Sequence, residues 1–271
     1  ADDLWDMFQD DNLFESEGFE EGKYSFTYIS IFPLLFPLIS SSPFSVSSDE
    51  DDVSFTQGRN IRMFLVDCHE SLWATPCKDS SDRTVSVLQV ILQSLITTVN
   101  RTILTAPSDM LSIVFYNTRE ENVEYSSGER GIYVLFPPGR PSHALIDRLT
   151  QLSNPATFNR DIGVCPSIKG SCPLSNALTC ASRLFSTHKS SGSFFLTIFT
   201  AHDDPAALPV EAEVWEHLSS GASVRTETVR AAQEERNACQ KRILALSNGN
   251  VYLHAICVPP SAQTLTGILR A

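Results

Sequence analysis

The apolar residues of this chain recur in two rhythms. Ile61-Arg62-Met63-Phe64-Leu65-Val66 is a short, nearly continuous apolar run stopped by Asp67. Such a run predicts a strand buried on both faces, as in a parallel sheet. Met110–Tyr116, Ile132–Phe136, Phe194–Phe199 and Val251–Val258 repeat it. Between these runs the period changes. Val85, Leu88, Leu92, Leu95 and Val99, widened by Ile91 and Ile96, fall on one side of a helix, with Asp82 as the expected N-cap and Pro107 closing the connection. Pro141–Leu152 and Leu174–Phe185 have helical spacing too, and Val224–Leu246 reads as a long polar helix with a thin apolar stripe. Residues 153–173 read as loop, and Pro137-Pro138-Gly139 and Pro259-Pro260 as stops. Strands alternating with helices predict an α/β, Rossmann-like fold: a mostly parallel central sheet with helices on both faces. Ligands of such sheets sit at the carboxyl ends of the strands.

Charge divides the chain unevenly. The 271 residues hold 20 Lys+Arg against 32 Asp+Glu, a formal charge of -12. Residues 1–60 contain 13 of the acids and only two bases, Lys23 and Arg59. A nearly neutral body therefore follows an acidic leader. Without a surplus of Lys and Arg there is nothing to neutralise a row of phosphates, which excludes a basic DNA-coating protein. A hydrophobic content of 42% over a chain this long excludes wholesale disorder. Residues 1–25, acidic with scattered aromatics (Trp5, Phe8, Phe14, Phe19), read as a disordered leader, and Asp49-Glu50-Asp51-Asp52 as a solvated charge run.

One segment between them is apolar. No residue from Tyr24 to Ser48 is charged, and Phe26–Ile39 is strongly hydrophobic. A membrane helix needs about 20 mostly apolar residues. This run is shorter, contains Pro33 and Pro37, and lacks the basic flanks that orient a span, so no membrane association is expected. The chain begins with Ala, as a fragment or a processed product would, and with no basic n-region it does not begin like a secretory signal. Seven cysteines, at 68, 77, 165, 172, 180, 239 and 257, are irregularly spaced without a CxxC pair. They read as small buried hydrophobes in a reducing compartment rather than zinc ligands. The sequon Asn100-Arg101-Thr102 lies at the end of a predicted helix and reads as a chance match.

Candidate chemistry gathers where the first strand ends, at Asp67-Cys68-His69-Glu70-Ser71. Neither GxGxxG nor GxxxxGK[ST] occurs, so no cofactor of the nucleotide type is expected; GxSxG is absent as well. A buried strand ending in Asp resembles the start of a von Willebrand factor A domain, whose D-x-S-x-S motif holds Mg²⁺ with further oxygens from later loops. Asp67 and Ser71 fit that pattern. His69 replaces the first Ser, and the strand ending at Phe199 runs into Thr200-Ala201-His202-Asp203, with Asp203 displaced from the strand end. The resemblance thus implies a degenerate site around Asp67, Ser71 and Asp203 with no metal bound, Asp67 instead capping a helix or satisfying loop N–H groups.

Longer stretches resemble the amino-terminal α/β, von Willebrand A-like domain of the Ku protein, seventy-kilodalton subunit. Gly58–Asp67 is similar to its G-R-x-x-x-x-F-L-V-D strand, and Asp109–Thr118 to D-x-L-x-x-V-F-Y-x-T. Ile132-Tyr133-Val134-Leu135 is similar to I-Y-V-L. Leu174-Ser175, Leu178 and Leu184-Phe185-Ser186 fit L-S-x-x-L-x(5)-L-F-S, and Phe199-Thr200, Asp203 and Pro205 fit F-T-x-x-D-x-P. Five motifs in order cover the body, 58–260, with 261–271 as the start of a further segment. In the family K-Y-S runs straight into G-R. Here Lys23-Tyr24-Ser25 is followed by residues 26–57 before Gly58-Arg59, an apparent insertion: a retained intron, a gene-model error or a lineage-specific loop.

The resemblance implies one subunit of a nuclear heterodimer, paired with an eighty-kilodalton Ku subunit, that serves DNA double-strand-break repair by non-homologous end joining, recombination and telomere maintenance. Damaged-DNA ends are gripped there by a β-barrel ring outside this domain, which itself docks end-joining factors. Ku proteins are credited with an ATP-dependent helicase activity and with an abasic-site lyase activity through a Schiff-base lysine before the first strand. Lys23 takes that position in the K-Y-S match, although Glu20 and Glu21 beside it favour the protonated amine. For this chain alone an interaction platform is expected rather than an enzyme. The alternative is a metal-dependent, ligand-binding von Willebrand A domain of another family.

Overall fold

The computed structural model describes residues 24–26, 59–74, 76–78, 84–122, 130–164, 172–188, 192–200 and 226–257. A six-stranded sheet runs through it. Its strands are β1 (Tyr24–Phe26), β2 (Ile61–Asp67), β5 (Met110–Tyr116), β6 (Ile132–Gly139), β7 (Phe194–Thr200) and β8 (Val251–Cys257), in the order β1-β8-β7-β2-β5-β6. All neighbours are parallel except β5 and β6. Two three-residue strands, β3 (Pro76–Lys78) and β4 (Thr84–Ser86), form a separate antiparallel ribbon. The helices are α1 (Glu70–Ala74), α2 (Val87–Thr105), α3 (His143–Leu152), α4 (Pro155–Asp161), α5 (Leu174–Ser186) and α6 (Thr226–Asn248).

The sheet divides the interior into two apolar layers, as the unbroken strand pattern requires. Ile61, Met63 and Leu65 of β2 join Val114, Leu196, Leu253, α5 and α6 on one face. Phe64 and Val66 join Ile113, Phe115, Phe199 and α1 to α4 on the other. Because adjacent side chains of a strand point to opposite faces, only an apolar run fills both layers. The stripe on α2 (Leu88, Ile91, Leu92, Leu95, Val99) is buried as its spacing predicts. That helix is long and apolar enough to cross a membrane by length and composition, yet half of it is buried against the body.

Some boundaries differ from the sequence reading. Asp82 lies outside the described residues, and α2 starts five residues after it, where Ser86 and Gln89 form a reciprocal capping box. The region read as loop contains α4, announced by Asn154 as N-cap and Pro155 at the first helical position. Strand β6 runs through Pro137 and Pro138 to Gly139 instead of stopping at Phe136, because it is the sheet's edge strand and the two prolines fall in an irregularity of its pairing with β5, where the ladder needs no N–H from them. Tyr24 and Ser25, read as the end of a disordered leader, are in β1 together with Phe26, held by β8. Asn100 sits inside α2, exposed. Cys68, Cys172, Cys180 and Cys239 are buried thiols in the core, as read.

Candidate functional site

Three strands deliver polar groups to one point at the carboxyl end of the sheet. Asp67 ends the central strand β2, Thr200 ends β7 on one side, and Tyr116 ends β5 on the other, followed directly by Asn117. Asp67, Asn117 and Thr200 are all buried. One Asp67 oxygen, Oδ1, accepts from the Asn117 side-chain amide at 2.8 Å and from the His69 backbone N–H at 2.9 Å. Oδ2 accepts from the Thr200 hydroxyl at 3.0 Å. Asn117 in turn accepts the Cys172 backbone N–H at its Oδ1, 2.7 Å away. That bond fixes the amide orientation, so an N–H and not an oxygen faces the carboxylate.

Asn117 holds a left-handed backbone, φ 58, which Asn tolerates better than most residues. The turn aims its side chain back at β2. The Asp67 charge also acts on its neighbours. Burial pushes the Cys68 thiol well above its ordinary pKa, and the Asp67 charge adds to the rise. Cys68 is thus an unreactive thiol. The Tyr116 hydroxyl is buried against the same cluster, and no hydrogen bond of normal geometry reaches it from the described residues. Burial raises its pKa strongly and the Asp67 charge adds to this, while the nearby Thr200 hydroxyl pulls the other way.

The sequence-predicted residues fare differently. Asp67 sits at the switch point of the sheet. Ser71 falls within α1, with its side chain outside the described residues. Asp203 and Lys23 lie outside them as well. His69 is buried and meets Asp67 through its backbone N–H, so it supplies a nitrogen where the motif would supply a hydroxyl oxygen. A hard divalent cation needs several oxygens converging on a vacant centre. Here the Asn117 and His69 N–H groups both donate to Asp67 Oδ1, and the Thr200 hydroxyl donates to Oδ2. The described part of the site does not fit such an ion. Among the described residues no group of three or more His, Cys, Asp or Glu is arranged around a metal position. Asn117 and Thr200 were inside quoted motifs but not read as site residues. Their signal was position: each is a polar residue directly at a strand's carboxyl end.

A second carboxylate closes the opposite end of β2. Asp109 accepts from the Asn60 backbone N–H at 3.2 Å and from its side-chain amide at 3.5 Å, and the Arg62 guanidinium lies 3.8 Å away. Asn60 accepts the Ser193 N–H at 3.1 Å, so β2, β5 and β7 are tied at this end too. The segments meet so closely that any Cβ at Gly192 would collide with the Arg59 carbonyl. The Arg62 guanidinium also lies over the Phe195 ring, 5.7 Å from its centre, and Phe195 stacks on Tyr252 at 5.3 Å.

A mostly parallel sheet flanked by helices, with Asp67 at its carboxyl end, narrows the choice of family, and a family model decides it. Residues 63–220, more than half the chain, match the Ku70/Ku80 N-terminal alpha/beta domain. The chain belongs to this Ku family. The Ku match takes in Asp67, Ser71, Asn117, Thr200 and Asp203 and leaves out β1, α6 and β8. It does not distinguish the two subunits. Comparison with curated proteins returned no match. Solved structures with similar folds include the PilB minor pilin from Streptococcus sanguinis, 10% identical over 57% of this chain and 32% of that one, with a TM-score of 0.39. Another is an uncharacterized membrane spanning protein from Vibrio fischeri, 12% identical over 73% of this chain and 71% of that one, with a TM-score of 0.34. This chain thus spans about a third of the pilin's length, and likenesses this distant carry no functional inference.

Proposed function

We propose that this chain is the amino-terminal domain of a seventy-kilodalton Ku subunit and that it acts in DNA double-strand-break repair as a platform for other proteins. The observation that carries the reading is the Ku family match over residues 63–220. The five motifs in seventy-kilodalton order favour that subunit over its partner. The near-neutral body favours a protein-docking role, since the chain has no basic surplus with which to grip phosphates. The ring that encircles DNA, the eighty-kilodalton partner, end-joining factors and a nuclear address belong to this proposal, as do telomere maintenance and recombination.

The Asp67 corner supports a docking role over ligand capture through a metal. Its carboxylate is spent on Asn117, His69 and Thr200, which leaves it a lock between strands. The lyase reading rests on Lys23 alone. Borohydride trapping on abasic DNA would give equal adduct yields with Lys23 and with Lys23→Ala if that reading is wrong.

The deciding experiment is co-purification. The complete gene product, co-expressed with an eighty-kilodalton Ku subunit, is expected to elute as a one-to-one complex that binds duplex ends. A monomer that ignores the partner, or a complex formed equally well with a second copy of itself, would overturn the assignment.

A further inference from the structure

On one side the central sheet ends at β6, and among the described residues no strand lies beyond it. An edge strand is a template. Each residue that faces away from its neighbour offers an N–H and a C=O to any extended chain that comes alongside. In an antiparallel ladder successive residues face the partner strand and the outside by turns. Gly131 faces inward, since its C=O accepts the Thr118 N–H at 3.2 Å. Val134, three residues on, is turned outward.

Both main-chain groups of Val134 are taken, and by one side chain. Its N–H donates to Asn122 Oδ1 at 2.8 Å, and its C=O accepts from Asn122 Nδ2 at 2.7 Å. A carboxamide carries the same pair of groups as a peptide bond, an N–H beside a C=O. Asn122 therefore meets Val134 as the main chain of a further strand would.

A tied-down segment delivers this clasp. The Arg119 and Glu120 N–H groups donate to the carbonyls of Gly163 and Ile162, just after α4, at 3.2 and 2.9 Å. The Arg119 guanidinium donates to the Asn159 carbonyl within α4, and the Thr118 hydroxyl donates to the Glu120 carbonyl at 2.7 Å. Gly163 has a left-handed φ of 70, and a Cβ there would lie 2.8 Å from Arg119 Cζ, so the two segments meet closely. Two residues after Glu120 the chain reaches Asn122. Farther along β6 the edge has little to offer. The Phe136 carbonyl accepts the Ser112 hydroxyl at 2.9 Å, and Pro137 and Pro138 have no N–H to give. A strand added along β6 would have to pair with Val134.

We propose that Asn122 closes this edge: its carboxamide holds the place of a strand residue and keeps the β6 of a second copy of this chain from pairing there. A second copy is the partner that fits. Two β6 edges related by a two-fold axis present identical groups to each other, and their antiparallel pairing about Val134 is self-complementary.

Asn122→Ala in the full chain tests this, with sedimentation and amide exchange as readouts. The parent should sediment as a monomer with a protected Val134 amide. In the dilute variant that amide should exchange about tenfold faster, because its acceptor is gone. In the concentrated variant dimers should form, with Val134 protected again. A variant that stays monomeric overturns the proposal, and so do dimers in which Val134 exchanges freely. Exchange in the parent decides the matter independently should the variant lose its fold: a Val134 amide that exchanges there as fast as a solvated one removes the clasp itself.

Discussion

The two ends of β2 each carry a buried carboxylate that ties three strands, and they do so by different chemistry. At the carboxyl end Asp67 is fully buried and its partners are neutral N–H and O–H groups on β5, β7 and the following loop. At the amino end Asp109 is 5% exposed and faces Asn60 and a partly exposed Arg62. A charge with wet neighbours can recruit water when a partner is lost. A charge sealed among matched donors cannot, and the donors it leaves behind are stranded as well. Parallel sheets of this kind offer ligand sites at the carboxyl ends of their strands; at that end of this sheet the Asp67 carboxylate joins three strands.

Substitutions should break this comparison in a definite order. Asp67→Ala strands the Asn117, His69 and Thr200 donors in a dry pocket and should cost about 3–5 kcal/mol. The urea midpoint should fall accordingly, with an unchanged m-value. Asn117→Ala removes both of its bonds and puts Ala at a left-handed backbone, for about 2–4 kcal/mol; Asn117→Gly should be milder by about 1 kcal/mol, because the backbone strain disappears. If Gly and Ala proved equal, the φ of 58 would play no part. Asp109→Ala should cost only about 1–2 kcal/mol, since Arg62 and Asn60 can turn to water. A loss as large as that of Asp67→Ala would erase the distinction between the two ends.

The smallest effect is a pH dependence at His254 on β8. Burial lowers the pKa of His254 below its usual 6.5. The folded state therefore binds fewer protons there than the unfolded state once the pH drops through 6.5, and stability falls with the pH until the folded-state pKa is passed. His254→Phe should flatten that slope in thermal melts between pH 7 and pH 5. A slope equal to that of the parent would assign the dependence to other groups.

Much of this architecture is legible in the residues. Two-faced apolar runs locate β2, β5, β7 and β8 to within a residue or two, because a strand buried on both sides has no polar alternation to confuse its ends. Helical stripes locate α2, α3 and α5. The misses have local causes. Alpha helix α4 is short, and its seven residues give periodicity too few turns to register; Asn154-Pro155 was the available cue. The prolines of β6 read as a stop because a stop is their usual meaning, and an edge position with an irregular pairing at those residues reverses it. Asp67 stood out as a strand-ending acid, but its partners Asn117 and Thr200 lie 50 and 133 residues away along the chain. No spacing rule connects them.

The sequence by itself determined the α/β alternation, the apolar layers, the acidic leader and the Ku motifs in their order, since each is written in local composition and period. Tertiary structure decided the strand order, which buried carboxylate has only buried partners and which has a partly exposed one, and the direction of the Asn117 amide. Each of these joins residues far apart along the chain, which local composition and period cannot relate.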